Sequence, residues 1–243
     1  MGQLSAFTHK ALLCCLWVRP DNCSIFGMKS AIVIGGTGMV GKALVKLLIS
    51  DSRFDKVYVY GRRPLGITHK KLVEQLIDFN KPDTWQQLVR GDILFSTLGT
   101  TLKQAGGKQA QYKIDHTYQF QFAQAASYNE VPAYVLVSSA SASPDSKLFY
   151  SRMKGELERD VKKLPFKSIT ILQPSLLHGD RQQERFGEKL GFRVLNGLNA
   201  IGLFRKYRAI EASTVALAMI NAGLEADNGV HTYALDEIFR LAH

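Results

Sequence analysis

Apolar and polar positions along this chain follow two periods that take turns. Ile32-Val33-Ile34 is a short β-branched run that enters a glycine cluster, after which Val40, Ala43, Leu44, Leu47 and Leu48 recur at helix spacing. Lys56–Tyr60 reads as a second strand ending at Gly61-Arg62-Arg63-Pro64, and Lys71–Ile77 as a third ending at Asp78. Pro82–Leu88 starts a short helix, and Asp92–Ser96 is a fourth strand followed by the turn Leu98-Gly99-Thr100. Ala110, Ile114, Tyr118, Phe122 and Ala126 step by four along one face of a long helix. Ala133–Val137 is a fifth strand that ends in Ser138-Ser139, Phe149–Leu164 a charged helix, and Ser168–Leu172 a sixth strand stopped at Gln173-Pro174. The pattern is then less regular, with a helix over Arg185–Leu195 and a loop over Gly197–Gly202. A helix over Ala212–Leu224 and a late strand over His231–Leu235 close the chain. Strand alternating with helix predicts an α/β fold, a doubly wound parallel sheet with right-handed crossovers.

The glycine cluster Gly35-Gly36-Thr37-Gly38-Met39-Val40-Gly41 narrows this to a Rossmann fold. Strand, glycine turn and helix form the opening of a dinucleotide-binding unit. One glycine permits the tight turn, one lets backbone approach a pyrophosphate, and one lets helix pack on strand. The helix start around Met39 and Val40 offers unpaired N–H groups to the phosphates. Ligands of such sheets sit beyond the carboxyl ends of the strands. Gly35–Gly41, Arg62-Arg63, Leu98-Gly99, Ser138-Ser139 and Pro174-Ser175 therefore share one rim.

Composition changes the picture little. The 243 residues, 46% of them hydrophobic, suit one large domain with a proper core. No apolar run approaches the roughly 20 residues needed to span a bilayer. Residues 28–243 read as one domain with a small irregular C-terminal substrate region, and residues 1–27 as a non-essential, poorly ordered extension. Ala11–Val18 is apolar but brief, no small-residue cleavage site follows it, and Ala6 breaks the myristoylation pattern. Cys14, Cys15 and Cys23 all precede Met28, which excludes a disulfide framework or cysteine metal site in the domain and suits a reducing compartment, read as cytoplasmic. The net charge of +10 is spread along the chain rather than gathered in a block. The basic run Arg205-Lys206-Tyr207-Arg208 lies in no nucleic-acid module, which argues against that partner. The cluster Asp180, Arg181, Glu184 and Arg185 reads as a salt-bridged loop before it reads as an anion site. The six histidines show no metal-ligand spacing.

Two further features carry chemistry. NAD-selective sites place an acid about 20 residues beyond the glycines, on the ribose 2′-hydroxyl. Arg62 and Arg63 stand there instead, and guanidinium binds a 2′-phosphate, so NADP(H) is predicted over NAD(H). Asp78 either accepts from the adenine amino group or caps the next turn. Tyr150 and Lys154 lie four apart on a helical pattern and leave the same face. An ammonium beside a phenol favours the phenolate, which makes a tyrosine usable as acid or base. Ser139, at the end of the fifth strand, is placed to donate to a substrate carbonyl.

The glycine motif, Ser138-Ser139 and Tyr150-x-x-x-Lys154 resemble the short-chain dehydrogenase/reductase superfamily. More narrowly, Tyr60-Gly61-Arg62-Arg63, Ser96-Thr97-Leu98-Gly99-Thr100-Thr101, Tyr150–Glu156 and Gln173–Arg181 resemble the Tat-interacting-protein group of its atypical members, over most of 28–243. The resemblance implies that Gly35, Gly38 and Gly41 line the pyrophosphate and that Arg62 faces the 2′-phosphate. It puts Leu98 and Gly99 along the cofactor and Pro174 and Ser175 near the nicotinamide. It makes Tyr150 the proton donor and sets Lys154 on the nicotinamide ribose. The family serine falls on Ser139 or on Ser141, eleven and nine positions before Tyr150, and Asp115 stands where many relatives have Asn.

The sequence thus predicts an NADP(H)-dependent oxidoreductase acting on a small carbonyl or alcohol, as a monomer or small homo-oligomer. The alternatives are a non-catalytic NADP(H)-sensing module with a protein partner, and an epimerase-like enzyme of nucleoside-diphosphate sugars.

Overall fold

The structure is a computed structural model that describes residues 27–178, 209–225 and 227–243. The predicted extension up to Phe26, the helix over Arg185–Leu195, the loop over Gly197–Gly202, the charged cluster at Asp180–Arg185 and the basic run at Arg205–Arg208 lie outside the described residues.

Seven strands form one sheet: β1 (Lys29–Ile34), β2 (Phe54–Gly61), β3 (Leu72–Leu76), β4 (Ile93–Ser96), β5 (Ala133–Val137), β6 (Ser168–Gln173) and β9 (Gly229–Ala234). Their order is β3-β2-β1-β4-β5-β6-β9, and every pair is parallel. A separate two-residue parallel pair joins β7 (Leu177–His178) to β8 (Ile210–Glu211). The strand order reverses between β1 and β4, and the crevice between their exits is where a doubly wound sheet takes its ligand.

Strand periodicity assigns the two faces. Ala31, Val33, Val57, Val59, Ile93, Phe95 and Val135 point to one side, where α1 (Met39–Ser50), α6 (Ala212–Leu224) and α7 (Asp236–Leu241) cover them. Ile32, Ile34, Tyr60, Leu94, Tyr134 and Leu136 point to the other, against α4 (Tyr118–Tyr128) and α5 (Phe149–Val161). Trp85, Phe79 and Phe122 fill that second core by ring contacts. Predicted and observed strands agree closely. The predicted short helix at Pro82 is two single 3-10 turns, Pro82–Thr84 and Gln86–Leu88.

The long helix departs from its sequence pattern in a way that matters. After the short α2 (Leu102–Ala105), α3 (Lys108–Tyr112) runs through a π turn, Lys113–Thr117, into α4. Tyr118, Phe122 and Ala126 are buried as the four-residue step predicts, but Ala110 is exposed, and Gln111, Asp115 and His116 are buried instead. A π turn accommodates one extra residue and rotates everything before it, so the inward face switches from apolar to polar side chains. That rotation delivers Asp115 to the carboxyl rim of the sheet.

Candidate functional site

Two hollows run along that rim and share Leu98. The smaller, about 50 Å³, is lined by Gly35, Gly36, Thr37, Arg62, Arg63, Glu74, Leu76 and Phe79 among others. The larger, about 570 Å³, is an open cleft lined by Gly38, Met39, Val40, Thr97–Thr100, Asp115, Val137–Ser141, Tyr150, Lys154 and Pro174–Leu177. The cofactor-site and catalytic residues read from the sequence are therefore brought together, except Asp78 and Gly41.

Gly41 lines neither hollow and serves the packing behind them. A Cβ there would stand 2.2 Å from the Gly35 carbonyl oxygen, so helix and turn meet backbone to backbone. Gly35 has φ of +84°, and a Cβ on it would reach within 2.4 Å of the Leu98 nitrogen. Thr97 seals the same junction, its N–H and its Oγ1 both donating to Ile34 O at 3.0 and 2.9 Å. The exits of β1 and β4 are thereby held at closest approach. Gly38 opens α1 with no side-chain cap and no acid follows in the first turn, so the first N–H groups of a twelve-residue helix face the cleft with a positive dipole end.

At the adjoining end, Arg62 and Arg63 are exposed just past β2. Asp78 does not line the hollow. Its carboxylate accepts from Asn80 N and Nδ2, each at 2.9 Å, and these bonds hold its pKa below the usual carboxylate value. The hollow takes its neighbours Leu76 and Phe79 instead. The sequence signal for these two was an apolar pair flanking the end of the third strand. Tyr60 also lines this end but is structural: its hydroxyl donates to Leu88 O at 2.6 Å, and burial pushes the phenol up to about 12.

The far end depends on side chains. Tyr150 and Lys154 lie one turn apart on α5, and both line the cleft. Lys154 is buried to 4% exposure, and its ammonium has no hydrogen bond or ion pair among the described residues. Ser139 and Ser141 line the same cleft and form a chain of hydroxyls: Oγ to Oγ is 3.2 Å, and Ser151 donates to Ser141 at 3.1 Å. Asp115 is buried at the cleft wall, accepting the Thr100 N–H at 2.7 Å.

Beneath these groups lies an anchor that sequence reasoning missed. Glu158, buried one turn beyond Lys154, accepts a hydrogen bond from Ser138 Oγ and two of 3.0 Å from Gln173 Nε2. It ties α5 to the ends of β5 and β6 at once. Gly155 completes the join, since a Cβ there would lie 2.2 Å from Pro144 N and from Ser143 C. Among the described residues no group of three His, Cys, Asp or Glu side chains is placed to hold a metal, and no helix is long and apolar enough to cross a membrane.

Residues 31–231 match the NAD dependent epimerase/dehydratase family, and the chain belongs to it. Among its relatives, FMP52, mitochondrial, of Saccharomyces cerevisiae is 40% identical over 168 residues, 66% of this chain and 72% of that one. The fmp52 protein of Aspergillus niger, also named mitochondrial, is 36% identical over 211 residues, 83% of this chain and 90% of that one. The solved structure of WbmH from Bordetella bronchiseptica in complex with NAD+ superposes with a TM-score of 0.66 at 16% identity, covering 85% of this chain and 76% of the other. At that identity the likeness shows the fold alone. The relatives' names correct the cytoplasmic reading. Cysteine placement speaks only to redox state, which does not separate one reducing compartment from another.

Proposed function

We propose that this member of the family is an NADP(H)-dependent oxidoreductase that moves a hydride between the nicotinamide and a small carbonyl or alcohol. The resemblance to the Tat-interacting-protein group of atypical short-chain dehydrogenase/reductases supports the same reading. The observation that carries it is Lys154, whose largely buried side chain brings its ammonium to the cleft wall with no hydrogen bond or ion pair among the described residues, one turn from Tyr150. An ammonium held on a largely buried stem points its donors into the cleft, and ribose hydroxyls there would accept them. The uncapped, acid-free start of α1 fits the pyrophosphate of the same molecule.

When bound, NADP(H) supplies or accepts the hydride. The chain's own part is to bind, orient and move one proton. The first N–H groups of α1 hold the pyrophosphate, and Arg62 and Arg63 hold the 2′-phosphate by charge-assisted bonds. Lys154 fixes the ribose and keeps positive charge beside the phenol. In the reducing direction Tyr150 Oη would give its proton to the substrate oxygen, and in oxidation it would take that proton back. Ser139 and Ser141 hold that oxygen, their shared hydroxyl chain ending on Ser151.

The mitochondrial names of the fungal relatives support placing this chain in mitochondria, which fractionation of cells expressing it checks. The function itself is tested by titrating the protein with NADPH and NADH, followed by NADPH oxidation against a panel of small aldehydes and ketones. Binding of NADPH about tenfold tighter or more, with turnover of at least one carbonyl, is the expected result. Tighter binding of NADH would overturn the role given to Arg62 and Arg63.

A further inference from the structure

The segment between β2 and β3 carries the two arginines on which 2′-phosphate selectivity depends, and it is held by the packing of Leu65 and Ile67 on the core and by few polar contacts. Arg62 and Arg63 are exposed and have no hydrogen bond or ion pair with any described residue. Their aim therefore follows the backbone of residues 62–68. Among the described residues one hydrogen bond ties that segment to the sheet: the Leu65 N–H donates to Glu74 Oε2 at 2.7 Å.

Glu74 sits on β3 opposite Val59 of β2, partly buried, and lines the same small hollow as Arg62 and Arg63. On charge alone it is badly placed, because a carboxylate in that hollow repels an incoming phosphate. Its use must lie in what it accepts. Leu65, once held, packs onto the glycine turn: a Cβ on Gly36 would stand 3.2 Å from Leu65 Cδ2. The contact thus runs from the Glu74 carboxylate through the Leu65 amide to the turn that receives the pyrophosphate.

We infer that Glu74 is a specificity-determining positioning residue. By holding the Leu65 amide it sets the backbone that aims Arg62 and Arg63 at the 2′-phosphate. This rests on the reading of those arginines given above.

The test uses the full chain and two probes that differ only in the phosphate, 2′-phospho-ADP-ribose and ADP-ribose, titrated by calorimetry. Thermal midpoints are measured alongside. Glu74→Ala removes the acceptor, Glu74→Met removes it while keeping the stem that packs, and Glu74→Gln keeps an acceptor oxygen but removes the charge. The expected result is that Glu74→Ala and Glu74→Met lower the preference for the phosphorylated probe about tenfold, with ADP-ribose affinity held within about twofold. Glu74→Gln keeps the wild-type preference or raises it. If all three variants raise the preference, Glu74 acts by repulsion alone and the inference is overturned. A lower midpoint with unchanged preference overturns it too, as a purely structural role. A wild-type protein with no preference fails the arginine reading itself, a result distinct from a wild-type preference that survives in Glu74→Met.

Discussion

The two ends of the cleft are built of different material. At the β1–α1 end the groups offered to the cleft are backbone amides, and the key residues matter for the side chains they lack. Gly35 and Gly41 are there so that Leu98 and the Gly35 carbonyl can approach within distances that no Cβ would allow. At the β5–α5 end the groups offered to the cleft are side chains held by other side chains: Ser139 by Ser141, which Ser151 holds in turn, and the helix bearing Tyr150 and Lys154 by Glu158 through Ser138 and Gln173. The first end is made by local chain geometry and the second by contacts between elements distant in sequence. Binding should therefore fail when the first is disturbed, and chemistry when the second is.

The largest expected effect comes from Tyr150→Phe. Loss of the proton donor should lower turnover by about 10²–10⁴-fold, while NADPH affinity by calorimetry changes by less than about twofold. A comparable loss of affinity would merge the two ends into one. Gly41→Ala is the complementary cut. Its Cβ would meet Gly35 O at 2.2 Å, Gly35 C at 2.8 Å and Thr97 Oγ1 at 2.8 Å, two of them backbone atoms that cannot swing away. The expected cost is about 3 kcal/mol of stability, read by chemical denaturation, together with loss of measurable cofactor binding.

The same division explains what the sequence made legible. The seven strands and the glycine cradle depend on short-range periods, and both follow from residues that are neighbours in the chain. That the site residues share one rim follows from alternation alone, since a parallel sheet puts every strand's carboxyl end on one side. Asp115 comes from the family resemblance and not from the periodicity, because the π turn at Lys113–Thr117 changes the period within one helix, and nothing in the apolar pattern of Ala110, Ile114 and Tyr118 announces it. Glu158 escaped because its partners lie 20 positions upstream, at Ser138, and 15 downstream, at Gln173. It reads as one more charge on a charged helix. Leu76 and Phe79 took the place considered for Asp78 because an exposed carboxylate two residues before an asparagine amide closes a turn first.

Gly155→Ala tests whether the far end hides a backbone device of its own. The added Cβ would lie 2.2 Å from Pro144 N and Ser143 C, and 2.6 Å from Ser143 Cα. The loop carrying Ser139 and Ser141 must lift from α5, at about 2 kcal/mol by the cost of overpacking. Turnover should fall further than cofactor affinity, because the displaced loop carries Ser139 and Ser141, proposed to hold the substrate oxygen, and none of the proposed phosphate contacts. Glu158→Gln is milder. The amide retains one acceptor oxygen for Ser138 or Gln173 and turns a donor toward the other, a cost of about 1 kcal/mol in denaturation. If Glu158→Gln shifted the midpoint but left kcat untouched, the anchor would be structural and the far end less dependent on side chains than the comparison holds.

The smallest effect belongs to Asp160, which lies on α5 with Tyr150 and Lys154 but near its solvent side. Its carboxylate accepts from Arg159 at 3.0 and 3.2 Å and lies 3.2 Å from His116 Nε2, across to the π turn. The Arg159 hydrogen bond first, and then that of His116, hold its pKa below the ordinary value. A carboxylate whose folded pKa is depressed adds stability that is present above the unfolded value and is lost as pH falls through the folded one. The pair is partly solvated, so the amount is small. Thermal midpoints of wild type and Asp160→Asn should therefore differ little, with wild type the higher, at neutral pH, and should converge only as pH falls below the ordinary carboxylate value of about 4 and through the depressed folded one. NADPH affinity and turnover of Asp160→Asn at neutral pH should match wild type. A drop in turnover would mean that the helix carrying Tyr150 is aimed from its outer side as well as by Glu158. The boundary of the far end would then have to move outward to include the packing of His116 on α5.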